Sequence, residues 1–425
     1  MGNELMLSPR DQSLLDGDCG PALQFAMKVV VRGAELLGAP RLIDAQFVHV
    51  DSCHYYGRAH LDFAKFFVQH AAQFDIPAWT NTIPISLRDT DVRDPETEFH
   101  REAKELAEQY VALGCQPVWT CAPYQLPAGP KFGDQIVGSE SNAVTYFNSV
   151  VGARTNKYGD FLDVCCGLVA RVPDAGFHTN EGRRGEILFD IGNLPMILRQ
   201  HDAFYHVLGH LIGGRSQSMT PVIAGLPSTT NKDDLKAISA AVAASGGVAL
   251  FHGIGVTPEA DTIEQAFLGG EPTETVSVTS DQVVEARDSL SSAGPGKLNM
   301  VAVGTPHFSM SEFERLVRLL DGARIHCDLT FYVSTSRFVA ENAAAMGWME
   351  TLNRAGVTVV VDTCTYFSPR VKACRGRVMT NSAKWAYYSP GMLDVEVVFG
   401  SLEDCVQSAI KGEVRRDCRV WGEPW

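Results

Sequence analysis

The feature that most limits how this chain folds is its alternation of strand-length apolar runs with helical patterns. RLIDAQFVHV (41–50) reads as a strand, and HLDFAKFFVQHAAQF (60–74) carries apolar residues at helical spacing. IPAWTNT is again strand-like, TEFHREAKELAEQYVALG (97–114) is a helix ending at Gly114, and PVWTC is the next strand. From Pro221 the alternation resumes through PVIAG, DDLKAISAAVAASG, VALFHGIG, LNMVAVG, SEFERLVRLLDG, DLTFYVST, ENAAAMGWMETLNRAG, VTVVVDTC, DVEVVFG and SLEDCVQSAIKG. Parallel strands need crossover connections, and helices supply them. The expected fold class is therefore α/β: two α/β units with mostly parallel sheets flanked by helices, over 1–135 and 216–425. Between them, 136–215 reads as a polar segment with helices over 141–151, 159–170 and 199–212. Residues 11–38 read as a helix broken at Gly17–Pro21.

Open α/β sheets bind ligands beyond the carboxyl ends of their strands. Cys121, Gly304–His307 and Cys364–Thr365 all fall at such positions. Cys121 in VWTCAPY, Cys165 and Cys166 in DVCCG, and Cys364 in VVVDTCTY each follow a strand-like run. The chain has 11 cysteines in 425 residues and no CxxC pair, which fits neither a small disulfide scaffold nor a close-spaced zinc site. Separated thiolates gathered by a large fold suit an iron–sulfur cluster. Cys19, Cys115, Cys327, Cys374, Cys405 and Cys418 read as ordinary thiols packed as small hydrophobes. The formal charge of −14 argues against a nucleic-acid surface. No stretch has membrane-spanning length, and MGNELMLSPRDQ lacks the pattern of a signal peptide. A reducing, cytoplasmic location is expected.

The densest polar stretch is GSESNAVTYFNSVVGARTNKYGD (138–160). Glu140 is placed to act as a base, and Arg154 to clamp a carboxylate bidentately; Ser141, Asn142 and Thr155 add polar groups. In MTNSAKWAYYSPG, Asn381, Ser382 and Lys384 offer donors to an anion at a helix start, and an ordinary N-cap is the competing explanation. VAVGTPHFS (301–309) puts His307 after a strand, as a candidate acid/base group or a satisfied loop histidine. There is no Walker A sequence and no complete GxGxxG, so nucleotide binding is not expected.

These segments together resemble one family. TCAPYQLPAGPKFGDQIVGSESNAVTYFNSVVGARTNKYGD, DVCCGLVARVPDAGFH, VAVGTPHFS, VDTCTYFS and MTNSAKWAYYSPG, in this order, look like the large, catalytic part of aconitase X enzymes. The resemblance runs from FVHVDSCHYYG to VEVVFGSLEDCVQSAIKG. It implies an aconitase-superfamily-like iron–sulfur dehydratase with its active site in the cleft between the two α/β units. The implied substrate is cis-3-hydroxy-L-proline, giving a pyrroline-2-carboxylate, or else mevalonate 5-phosphate. Cys121, Cys364 and one of Cys165 or Cys166 are the implied cluster ligands. Glu140, His307 and Lys384 are the catalytic candidates, and Ser141, Asn142, Arg154, Thr155, Asn381 and Ser382 the substrate-binding ones.

Two departures refine that expectation. Phosphomevalonate dehydratases are expected to carry a cysteine in the motif that here reads GTPH, where Thr305 stands. Losing that thiolate favours a 2Fe-2S cluster over 3Fe-4S or 4Fe-4S, and favours the hydroxyproline branch. Family members also carry a small swivelling β-rich domain, fused or as a separate subunit, that brings a catalytic serine. No all-β segment remains here after the two α/β units, so a small partner subunit is expected. Two rivals stand beside this reading: a metal-independent hydro-lyase using His307 or Glu140, and a ligand-binding paralogue without turnover.

Overall fold

The computed structural model describes residues 5–88, 97–367, 375–417 and 419–421. Cys374 and Cys418 lie outside these residues. The chain forms two compact units: Met1–Pro84 with Arg93–Arg184, and Gly185–Trp425 with Ile85–Val92.

The first unit opens with the helices Pro9–Asp16 and Pro21–Leu36. Each starts on a proline, whose fixed φ suits the first helical turn, and Gly17 at φ 94° stops the first one. This is the break expected at Gly17–Pro21. The segment 41–50 does not make one strand. Leu42–Asp44 pairs antiparallel with Arg171–Pro173, the Ala45 N–H donates to the Ala170 carbonyl, and Phe47–Val50 enters a separate sheet. That sheet is parallel, in the order Ala78–Thr80, Phe47–Val50, Ile136–Gly138. The helices Arg58–Gln69 and Glu98–Ala112 arise from the expected amphipathic patterns. Phe47, Trp79, Ile136, Ala143 and Phe147 form a buried cluster on this sheet.

The second unit carries two parallel sheets. Four strands run in the order His252–Gly253, Pro221–Ala224, Ile187–Asp190, Glu274–Ser277. Five run in the order Val357–Val361, Thr330–Thr335, Met300–Phe308, Gly376–Thr380, Val395–Phe399. The helices Met310–Leu320 and Leu402–Lys411 cover the five-stranded sheet and are fixed by capping boxes at Ser309 and Ser401. Phe308, Phe313, Leu316, Phe331, Val398 and Val406 fill its core.

Several expectations are corrected. PVWTC is no strand: only Gln116 bridges to Trp79, Trp119 takes φ 44°, and its N–H goes to the Thr80 hydroxyl at 3.1 Å. DVCCG lies inside the helix Leu162–Val169, not in a loop after a strand. VALFHGIG contributes only His252–Gly253, because Gly253 turns back onto the Thr257 hydroxyl at 2.9 Å. The three-part division at 136 and 215 differs from the observed units. Ile136–Gly138 pairs with Phe47–Val50 and carries the polar stretch into the first unit, whereas Ile187–Asp190 pairs with Pro221–Ala224 and starts the second.

Candidate active site

Strand register assembles a polar edge in the first unit. Val50 pairs with Thr80, and His49 pairs with Gly138. The residues just beyond, Asp51, Asn81, Ser139 and Glu140, therefore gather at the carboxyl ends of three parallel strands, where such sheets bind ligands. Asp163, fully buried on the helix Leu162–Val169, ties this edge together. It accepts the Asp51 N–H at 2.9 Å, the Ser52 N–H at 3.2 Å and the Ser139 hydroxyl at 2.8 Å. The Asn81 side-chain amide donates to Asp51 Oδ1. Burial first, then the charges of Asp160 and Glu140, push the Asp51 carboxyl up to about 8. The His49 ring donates from Nε2 to the Thr120 carbonyl at 3.0 Å, and burial lowers it to about 4, so it is neutral at physiological pH.

Glu140 joins this edge as the N-cap of the helix Ser141–Tyr146. Its Oε2 accepts the Ala143 N–H at 2.6 Å and its Oε1 accepts the Ser141 hydroxyl at 3.2 Å. Two residues on, Asn142 donates from Nδ2 to the Cys121 carbonyl and to the Tyr124 hydroxyl, each at 2.9 Å. Glu140, Ser141, Asn142 and Cys121 thus share one neighbourhood. Arg154 is not brought to it. Arg154 bridges to Gln135, at the amino end of the strand whose carboxyl end carries Glu140, and its guanidinium reaches Asn180 at 2.6 Å and the His178 carbonyl. Thr155 serves the backbone: its hydroxyl accepts the Gly138 N–H at 2.9 Å and donates to the Asn156 carbonyl. Cys165 and Cys166 are fully buried on their helix, and burial pushes both thiols up.

In the second unit the five-stranded sheet presents a comparable edge. His307 and Cys364 are buried, with ligand atoms within 4.8 Å of one another. His307 Nε2 lies 3.2 Å from the Thr363 carbonyl, which only accepts, so Nε2 carries the proton and Nδ1 the lone pair. Among the described residues, the groups able to hold a metal include neither Cys165 nor Cys166. Gly304 permits the tight approach of the neighbouring strand: a Cβ there would sit 2.2 Å from the Ser334 carbonyl oxygen, and φ is 89°. Ser382 caps the helix Ala383–Met392, accepting the Trp385 N–H at 3.0 Å and donating to the Thr305 carbonyl. Its hydroxyl is thus the N-cap that competed with anion binding in the sequence. Lys384 is buried in the first turn of that helix, and Asn381 precedes the cap. Trp385 donates to the Thr365 hydroxyl at 3.0 Å, linking this turn to the segment of Cys364.

Sequence reasoning missed Asp51, Asn81, Asp163 and His49. The available signal was an acid directly after the buried strand FVHV and an Asn directly after AWT, both at strand ends. No long polar run marked them, unlike 138–160.

Comparison with known proteins places these geometries in context. Family models described as Aconitase X first, second and third domain match residues 4–181, 185–288 and 298–411. The chain is 41% identical to a Pseudomonas aeruginosa protein named Cis-3-hydroxy-L-proline dehydratase, over 97% of this chain and 71% of that protein. A Hypocrea jecorina protein of the same name is 37% identical over 97% of this chain and 70% of its own length. A Methanosarcina mazei protein named Phosphomevalonate dehydratase large subunit is 32% identical, over 97% of this chain and 99% of that one. The crystal structure of Thermococcus kodakaraensis aconitase X in its holo-form superposes with a TM-score of 0.84 at 29% identity, covering 95% of this chain and 100% of that one.

Proposed function

This chain belongs to the aconitase X family, and from that premise we propose that it is a hydro-lyase that dehydrates cis-3-hydroxy-L-proline. The observation that carries the substrate is the identity of 41% and 37% to two proteins named for that activity, against 32% for the phosphomevalonate relative. Thr305 in GTPH supports the same branch. In the reaction, the proton leaves the carbon next to the carboxylate and its electron pair forms the C=C bond. The C3–O bond breaks, water departs, and the enamine tautomerises to a pyrroline-2-carboxylate.

The donor set fits an iron–sulfur cluster. Cys364 offers a thiolate and His307 an imidazole within ligand reach of one another, in a buried setting. Cys121, buried in the first unit with its carbonyl held by Asn142, is proposed as a further thiolate ligand. Cys165 and Cys166 are assigned to the core instead, because they lie inside the helix Leu162–Val169 and outside the groups, among the described residues, whose ligand atoms converge. When bound, the cluster supplies a Lewis acid for the departing hydroxyl. This chain's own residues bind and orient: Glu140 and Ser141 at one polar edge, Asn381 and Lys384 at the other. Glu140 and Lys384 remain the candidates for moving the proton; His307, read as a third candidate in the sequence, would give its Nδ1 lone pair to the metal instead. A small partner subunit is also proposed, because the phosphomevalonate relatives are named large subunits.

The test is anaerobic cluster reconstitution, absorption spectroscopy, and an assay on cis-3-hydroxy-L-proline and mevalonate 5-phosphate, with and without a candidate small subunit. Turnover of the hydroxyproline is expected. Turnover of mevalonate 5-phosphate alone would move the chain to the other branch, and activity from an iron-free preparation would overturn the cluster.

A further inference from the structure

We propose that Asp51 and Asn81 form the amine subsite of the first unit's polar edge, where the carboxylate of Asp51 receives a substrate's secondary ammonium and the Asn81 amide oxygen accepts its second N–H. This rests on the substrate reading above and deepens it: it names the groups that would tell a cyclic amino acid from a hydroxy acid bearing no nitrogen.

The geometry comes from the register. Asp51 and Asn81 follow the paired residues Val50 and Thr80 at the carboxyl ends of adjacent parallel strands. Asn81 turns its Nδ2 to Asp51 Oδ1, which fixes the amide and leaves Oδ1 as its acceptor. That Asn81 oxygen is buried without a hydrogen-bond partner, on a residue only 3% exposed. A buried acceptor left unmet costs free energy, and such exceptions in a folded protein call for an explanation. Asp51 is half-buried, so part of it stays open to an incoming ligand. The acidic residues that act most on Asp51 are Asp160, Glu140 and Asp163, of which Asp160 is paired with the His60 ring at 3.2 Å. Burial first, and these acids after it, raise the Asp51 carboxyl. A pyrrolidine ammonium supplies one positive charge and two N–H donors in a fixed fork. A phosphate would meet the acids Glu140 and Asp160 as a second anion and be repelled.

Glu140 sits beside this subsite, and its carboxylate acts on both Asp51 and His49. An amine held at Asp51 therefore places the carbon next to the nitrogen, which is also the carbon next to the carboxylate, near the candidate base. The same ammonium lowers the cost of removing that proton, since it stabilises the negative charge that develops there.

The cluster-loaded protein should be titrated with L-proline and with tetrahydrofuran-2-carboxylate, the ring-oxygen analogue that lacks the ammonium. Wild type should bind L-proline roughly 10- to 100-fold more tightly, the range of a hydrogen bond between charged groups. Asp51→Asn should erase that preference while its melting temperature holds or rises, because the substitution removes a poorly solvated acid. Asn81→Ala should reduce L-proline binding and leave binding of the oxygen analogue unchanged. A wild-type protein with no preference, or an Asp51→Asn variant that keeps it, overturns the subsite. A fall in melting temperature with the preference intact would make Asp51 merely structural and overturns it too. The catalytic reading is judged apart, by turnover of cis-3-hydroxy-L-proline: lost turnover with the L-proline preference intact would sink that reading and uphold the subsite.

Discussion

Asn142 holds Cys121 in place: its side-chain amide donates to the Cys121 carbonyl oxygen at 2.9 Å from a fully buried position. The second amide hydrogen goes to the Tyr124 hydroxyl at 2.9 Å. One side chain thus fixes the irregular 117–124 segment, which makes no ladder of its own apart from the bridge at Gln116. Asn142→Ala should cost about 1–3 kcal/mol, the penalty for orphaning buried polar partners. It should also lower iron retention per chain after reconstitution. Thermal melting and iron analysis check both, and an unchanged melting temperature would refute the clamp.

Cysteine substitutions should separate ligands from core thiols. Cys364→Ser and Cys121→Ser should each abolish iron binding and activity, because serine offers no thiolate. Cys165→Ala should keep its iron and lose only packing, at about 1–2 kcal/mol for a small buried side chain. Iron content by absorption spectroscopy decides the matter. Full iron in Cys364→Ser would remove that residue from the ligand set.

The pH dependence of stability should carry the mark of Asp51. Its carboxyl is raised to about 8, whereas an unfolded chain titrates near its ordinary value of about 4. Between those values the native state holds a proton that the unfolded state has released, so stability falls as pH rises from about 4 to about 8. Asp51→Asn stays neutral throughout. The gap in melting temperature between variant and wild type should therefore widen from pH 5 to pH 8, with Glu140, Asp160 and Asp163 unchanged in both proteins. A constant gap would show that Asp51 is ionised in the native state at both pH values.

Lys236 anchors the second unit. It is 3% exposed, pairs with Asp233 at 3.1 Å and with Glu312, and its Nζ reaches the His307 carbonyl at 3.4 Å. Burial raises the Glu312 carboxyl to about 7 even beside this cation. Lys236→Met strands two acids in the interior and should cost about 3–5 kcal/mol by urea unfolding. Adding Glu312→Gln should recover part of that loss, since one stranded acid is gone. Additive losses in the double variant would show that the two residues do not share an interaction.

The sequence by itself determined the α/β class, because strand-length apolar runs alternating with amphipathic helices leave few other ways to bury both. It also determined the break at Gly17–Pro21, the caps at Ser309, Ser382 and Ser401, and the place of Cys364 just past its strand, since these depend on neighbours a few residues away; His307, expected after its strand, lies inside Met300–Phe308. Register was decided only by the tertiary structure. Whether Arg154 lies beside Glu140 or at the opposite end of the strand depends on a pairing with Gln135 that no local pattern encodes. Cys166 and Cys364 look alike in sequence, yet one is sealed in a helix and the other set beside an imidazole. Asp51 and Asn81 stand 30 positions apart in the chain, and only the pairing of Val50 with Thr80 makes them neighbours. Desolvation and the field of surrounding acids then set what that pair does, and both are properties of packing in three dimensions.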